Sequence, residues 1–269
     1  MILPDTLLYI YEVRGDLPIG IHPPPPSFVG LWNEDDFSYL FFTSPEDEYV
    51  ANAICNGSTR LSARHEILYK DWQNNLPQEG AQIGSVHFAR ADDPAPARGS
   101  LLLDPTVVFG DGSHPTTVAC ISEIERIVRS RNVHSLLDLG TGSGILSLAA
   151  ASLGVGRVVA VDRNLLAIQT VRNNVKINNL TGVIQVREGE ARLFIDTPYD
   201  LVAANLPFQV LRDLVVLRNA ALHQAWIVSG INAQQADVLK DLLFDQGYAL
   251  DHCIETPPWV TFSVARKKT

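Results

Sequence analysis

Hydrophobic and polar positions follow two different rhythms along this chain. Residues 6–13 (TLLYIYEV) and 37–43 (FSYLFFT) are rich in aromatic and branched side chains and predict strands. Residues 44–55 (SPEDEYVANAIC) predict a helix, with Ser44 as its cap, Pro45 in its first turn and acids just inside its N-terminus. Residues 81–90 (AQIGSVHFAR) predict a further strand. Together these form a small α+β region.

From about residue 100 the rhythm changes to alternating strands and helices. Strands are expected at 134–140, 157–162, 183–189, 199–206 and 225–231. Helices are expected between them. The helix over 116–130 carries Val118, Ile121, Ile124 and Val128 on one face, and that over 164–179 carries Leu165, Ile168, Val171 and Val175. Further helices are expected at 144–154, 209–222 and 234–247, with Gly154 and Gly247 as stops. Residues 248–256 and 260–267, joined through Pro257 and Pro258, predict an antiparallel pair. The fold class is α/β: a Rossmann-like, mostly parallel sheet with an antiparallel last strand, preceded by the small α+β domain. Ligands of such sheets sit at the C-terminal ends of the strands, near the switch point.

Two proline-rich breaks, HPPPPS at 22–27 and ADDPAPARG at 91–99, punctuate the chain. The expected division is a domain over 1–70, a connector over 71–99 and a larger domain over 100–269. With 46% hydrophobic residues among 269, a large core is available for the second. Cys55, Cys120 and Cys253 lack paired spacing, so neither a disulfide framework nor a metal cluster is expected, and a reducing compartment is. The N-terminal stretch reads as a strand and not as a signal peptide, and no apolar run reaches the roughly 20 residues of a membrane span. A cytoplasmic protein without membrane partners is expected. The net charge of −9, with basic residues clustered only at Arg266, Lys267 and Lys268, argues against a nucleic-acid partner.

Candidate chemistry begins at residues 136–146, LLDLGTGSGIL, where Asp138 precedes Gly140, Gly142 and Gly144. A dinucleotide fingerprint requires glycine at 145, where Ile145 stands, and a P-loop requires a Lys-Ser/Thr pair that is missing. Asp162 ends the next strand, where a carboxylate can accept hydrogen bonds from both hydroxyls of a ribose. The plainer alternative is a tight strand-to-helix turn without a ligand.

The string Asp138-x-Gly140-x-Gly142-x-Gly144 resembles the first motif of the class I methyltransferases, which bind S-adenosylmethionine. That resemblance implies cofactor contacts from Asp138, Gly140, Thr141, Gly142, Gly144 and Asp162, from Glu190 near the adenine, and from Asn205. A second string, DPTVVFGDGSHPTT at 104–117, resembles the signature of the ribosomal protein L11 methyltransferases through Phe109, Gly110, Gly112, His114, Thr116 and Thr117. Asp111 and Ser113 stand where threonines are common. The resemblance covers about residues 71–269 and includes Trp259 to Lys268, whereas residues 1 to about 70 diverge. It implies that Phe109 and Thr116 close over the methionine end of the cofactor, and that the N-terminal module grips a protein substrate. As helix-start residues, His114, Thr116 and Thr117 are equally readable as caps.

Asn205-Leu206-Pro207-Phe208 ends the fourth strand and resembles the Asn-Pro-Pro-Tyr/Phe motif of nitrogen methyltransferases, with Leu206 replacing the first proline. The expected roles are an amide oxygen of Asn205 accepting from the incoming amine and a ring of Phe208 against its carbon chain or ammonium form. Trp259 is readable either as acceptor-channel lining or as hairpin packing. The expected activity is S-adenosylmethionine-dependent N-methylation of lysine or N-terminal amines on a protein, in keeping with the resemblance a ribosomal one. Two other readings stay open: N-methylation of a small molecule or other amide or amine nitrogen, and a non-catalytic, cofactor-binding interaction module.

Overall fold

The structure is a computed structural model and describes residues 5–15, 17, 24–34, 37–54, 59–69, 80–104 and 108–267. His22 and Pro23 of the first proline break, residues 71–79 of the expected connector and Lys268 lie outside the described residues. The chain divides into two compact units, Met1–Asn74 with Asn164–Leu166, and Asn75–Arg163 with Ala167–Thr269.

The first unit holds strands β1 (Leu7–Arg14), β2 (Phe28–Glu34), β3 (Phe37–Phe42) and β4 (Arg60–Leu68) and helix α1 (Asp47–Ala53). The strands form one sheet in the order β2-β3-β1-β4, with every pair antiparallel. Tyr11, Val13, Leu17, Leu40, Phe42 and Val50 make its core. α1 starts later than its sequence suggests. Glu46, not Ser44, is the capping residue and makes no side-chain cap bond: its carboxylate accepts from the hydroxyls of Ser27 and Ser44, while its N–H is held by the Tyr11 hydroxyl at 2.9 Å.

Among the described residues the second unit contains two sheets. The smaller joins β5 (Ala81–Ile83), β6 (Val86–Arg90) and β7 (Leu101–Leu103). The single strand expected over 81–90 is thus a hairpin, turned at Gly84 with φ +59°. Its Ile83, Val86 and Phe88 are buried in the main core together with Leu101 and Leu103.

The larger sheet has the strands β8 (Ser135–Leu139), β9 (Arg157–Asp162), β10 (Ile184–Glu188), β11 (Leu201–Asn205), β12 (Ala225–Ile231), β13 (Tyr248–Thr256) and β14 (Trp259–Arg266). Their order is β10-β9-β8-β11-β12-β14-β13. β8 to β12 run parallel, and β14, the last strand in the chain, is antiparallel to both its neighbours. Strands such as LVAA of β11 are apolar at successive positions because helices cover both faces.

The helices of this unit are α2 (Pro115–Ser130), α3 (Ile145–Ser152), α4 (Leu165–Ile177), α5 (Phe208–Val215) and α6 (Ala233–Asp245). The buried face of α2 is rotated from the expected one: Val118 is 37% exposed, while Ile121, Ile124 and Ile127 are buried. The helix expected over 209–222 is broken into α5 and a 3-10 turn over Arg218–Leu222. The direction in which strands are added reverses at β8, since β9 and β10 lie on one side of it and β11 on the other, all of them parallel. This is the topological switch point, where an open α/β sheet leaves a crevice at its C-terminal edge.

Candidate active site at the switch point

Register places the sequence motifs at one level. Leu139 pairs with Val161 on one side and Ala204 on the other, so Gly140, Asp162 and Asn205 all leave the sheet along the same edge. The loop after β8 depends on positive φ. Gly140, Gly142 and Gly144 have φ of +72°, +54° and +87°, a region costly for residues with a Cβ. At Gly142 a Cβ would also lie 2.6 Å from the carbonyl oxygen of Phe109. The glycines therefore serve the packing of loop on loop as well as any ligand.

Asp138 sits beneath this loop with no exposure. Its Oδ2 accepts from the hydroxyls of Thr141 at 2.6 Å and Ser147 at 2.7 Å, while its Oδ1 is buried without a hydrogen-bond partner among the described residues. Burial pushes the carboxyl up to about 6, against the opposing pull of those two hydrogen bonds. Asp162 also anchors the loop, since its Oδ2 accepts the N–H of Gly142 at 3.0 Å. Glu190, two residues beyond β10, is exposed and lies 3.9 Å from Arg163.

The segment carrying Phe109 folds onto the glycine loop. Ser143 donates its N–H to the Phe109 carbonyl at 3.1 Å and its hydroxyl to the Gly110 carbonyl. The Phe109 side chain is 47% exposed, with its ring 5.2 Å from that of His114, which in turn lies 5.3 Å from Trp259. His114 caps α2: its Nδ1 accepts the Thr116 N–H at 3.3 Å and lies 2.7 Å from Thr116 Oγ1. Burial holds the His114 imidazole below its usual range, although the charge of Asp111 works the other way. Thr116 Oγ1 is also 3.0 Å from Asn205 Nδ2. Sequence positions 89 residues apart thereby meet at the end of β11. Phe208 opens α5 and is half-buried against the core around Val228 and Leu211. Beside Trp259 lies a cavity of about 330 Å³, lined also by Asn232, Gln234, Glu255 and Pro257.

Three residues not singled out in the sequence help build the site. Ser143 and Ser147 fasten the glycine loop, as above. Asn174, fully buried on α4, donates to the carbonyls of Ser143 at 2.8 Å and Asp104 at 3.0 Å and accepts the Asp104 N–H at 2.9 Å. One signal was available: Asn174 follows Val171 by three positions and so falls on the apolar face of its helix, where a polar residue needs partners.

Residues 41–267 match the family described as ribosomal protein L11 methyltransferase (PrmA). The match begins inside β3, upstream of residue 71, where the motif resemblance starts. A ribosomal protein L11 methyltransferase of Halalkalibacterium halodurans is 36% identical over 160 residues, covering 59% of this chain and 50% of its own length. One of an Exiguobacterium species is 32% identical over 212 residues, covering 75% of this chain and 66% of its own length. The chain thus spans between half and two thirds of the length of these curated relatives. The crystal structure of a ribosomal protein L11 methylase from Lactobacillus delbrueckii subsp. bulgaricus superposes with a TM-score of 0.60 at 25% identity, covering 68% of this chain and 95% of that one. On the family match over residues 41–267, this chain belongs to the ribosomal protein L11 methyltransferase family.

Proposed function

We propose that this chain is an S-adenosylmethionine-dependent protein N-methyltransferase, acting on lysine or N-terminal amines of a ribosomal protein in the cytoplasm. The observation that carries this reading is the 3.0 Å contact of Thr116 with Asn205, which joins the signature segment to the β11 terminus, while Ser143 ties the same segment to the glycine loop. The donor set suits the cofactor. Asp138 Oδ1 is a buried acceptor without a partner among the described residues, matching an α-ammonium group or a water carried with it. Asp162 offers a carboxylate to the ribose hydroxyls, and Glu190, exposed just beyond β10, is the group assigned to the adenine. Phe109, Thr116, Gly140, Thr141, Gly142 and Gly144 surround the methionine end.

Bound S-adenosylmethionine supplies an electrophilic methyl group on a sulfonium, which passes to the acceptor nitrogen. The protein's own part is positioning. The Asn205 side-chain oxygen accepts an N–H from the acceptor amine and aims its lone pair. Phe208, at the start of α5, flanks the amine's carbon chain. A free lysine has a pKa of about 10.4, so only about one in 10³ is deprotonated at neutral pH. Desolvation beside a cation favours the neutral amine, and its proton leaves to solvent. Rate enhancement then comes from proximity and alignment. The first unit is the module that holds the protein substrate.

The test is transfer of labelled methyl from S-adenosylmethionine to large-subunit ribosomal proteins, with the modified residue mapped by mass spectrometry. Label on a lysine or N-terminal amine is the expected result. Label appearing only on small-molecule amines, or none with cofactor still bound, would replace this reading with one of its two competitors.

A further inference from the structure

The hydrogen bonds around Thr116 have a direction, and it can be worked out from donors that cannot reverse. The Thr116 backbone N–H can only donate, and it reaches His114 Nδ1 at 3.3 Å. Nδ1 therefore carries a lone pair. The Thr116 hydroxyl, 2.7 Å from the same nitrogen, must then be the donor in that contact. With its proton engaged, Thr116 Oγ1 can only accept from the Asn205 amide 3.0 Å away. The atom of Asn205 that faces it is thus Nδ2, and Oδ1 is left on the other side. That oxygen is turned toward Gly230, whose φ is +85° and where a Cβ would sit 3.0 Å from it.

We infer that His114 is a positioning residue: in its neutral, Nε2-protonated form it orients the Asn205 carboxamide through Thr116, so that the oxygen and not the amino group is presented to the acceptor amine. This rests on the reading of Asn205 as the amine-facing amide. A protonated His114 carries hydrogen on Nδ1, which repels the Thr116 N–H and reverses the hydroxyl. The reversed hydroxyl donates to Asn205, which then favours Oδ1 toward Thr116 and turns Nδ2 to the acceptor. Two donors would then meet, and transfer would stop. Asp111, on the loop preceding α2, is the charged group acting on His114 among the described residues. Phe109, Thr116 and Trp259, which also lie against it among the described residues, carry no charge. Burial favours the neutral imidazole, against the opposing pull of Asp111.

The variant that separates positioning from mere structure is His114→Asn. An Asn side-chain oxygen can occupy the place of His Nδ1 and accept the same two hydrogen bonds, but it does not titrate. It is also a good helix cap. Long-range proton–nitrogen correlation spectra of the full chain, with the His114 signal identified by its absence from H114N, should show an unprotonated Nδ1 at neutral pH. Methyl transfer to large-subunit ribosomal proteins should be near wild type in H114N at pH 8, and lower by on the order of tenfold to a hundredfold in H114A. The acceptor amine makes every variant slower in acid. The wild-type rate should fall more steeply than that of H114N below the usual histidine pKa of about 6.5. A protonated Nδ1 at neutral pH, parallel pH profiles, or an H114N as slow as H114A overturns the inference while leaving the proposed activity in place. A wild-type rate in Asn205→Ala overturns the inference together with the amine-facing role of Asn205 on which it rests, because it removes the amide from the reaction, and it too leaves the proposed activity in place.

Discussion

The carboxylate of Asp162, at the end of β9, accepts the backbone N–H of Gly142 in the loop after β8, at 3.0 Å. One acid thus ties two neighbouring strand ends together at the crevice. Replacing it removes both a loop anchor and the partner proposed for the ribose. Asp162→Ala should weaken S-adenosylmethionine binding by at least about tenfold, or about 1.4 kcal/mol. Asp162→Asn keeps an acceptor for Gly142 and should lose less. Titration calorimetry of both variants checks this, and an Ala variant with wild-type affinity would refute it.

Gly142 tolerates no side chain, on two counts. Its φ is +54°, and a Cβ would lie 2.6 Å from the Phe109 carbonyl oxygen. Gly142→Val should push the Phe109 segment away and cost about 1–3 kcal/mol of stability from backbone strain. Cofactor affinity should fall further than in Asp162→Ala. Melting curves with and without S-adenosylmethionine would show a lowered Tm and no ligand-induced rise. A full ligand-induced rise would mean the loop does not meet the cofactor.

Asn174 holds three backbone groups of the buried residues Asp104 and Ser143. Asn174→Ala leaves the Asp104 N–H and carbonyl and the Ser143 carbonyl without this partner. At about 1 kcal/mol for each bond lost, the expected destabilisation is about 3 kcal/mol. Urea unfolding measures it. A loss below about 1 kcal/mol would show that the loops are held by other means.

Asp138 gives a pH signature. Its folded pKa of about 6 lies above the unfolded value of about 3.9, so the fold prefers the protonated acid. This carboxyl therefore costs nothing below about pH 4, and its cost grows until the pH passes about 6, reaching about 3 kcal/mol. Asp138→Asn abolishes that loss. Measured against the wild type, the variant should gain stability between pH 4 and pH 7. A stability difference that stays flat across this range would mean the acid is already ionised at low pH. If a cationic cofactor binds close by, its affinity in the wild type should rise over the same interval, with release of a proton.

The reach of the sequence can be judged from particular elements. Strand and helix periodicity in the second unit was legible because it is a local property: VVAV and LVAA are apolar throughout since both faces of a parallel sheet are covered. The spacing of Asp138, Gly140, Gly142 and Gly144 was equally legible, because positive φ has to be written into the chain as glycine. β4 was not, since its exposed, charged residues show no alternation and it becomes a strand by pairing with β1. The exposed side of Val118 was missed because a helix face is defined by what packs on it, and an apolar residue near the rim fits either way.

By itself, then, the amino-acid order determined the succession of elements, the glycine turn and the set of polar residues delivered to the strand ends. Only the tertiary structure decided how those residues are partnered. It placed Asp138 out of reach of solvent, set Asn174 against Ser143 across 31 positions and brought Thr116 to Asn205 across 89. The physical reason is range. Backbone preference and hydrophobic periodicity act over a few residues, whereas a hydrogen bond between distant side chains exists only once a packed core has fixed both ends to within a few tenths of an ångström.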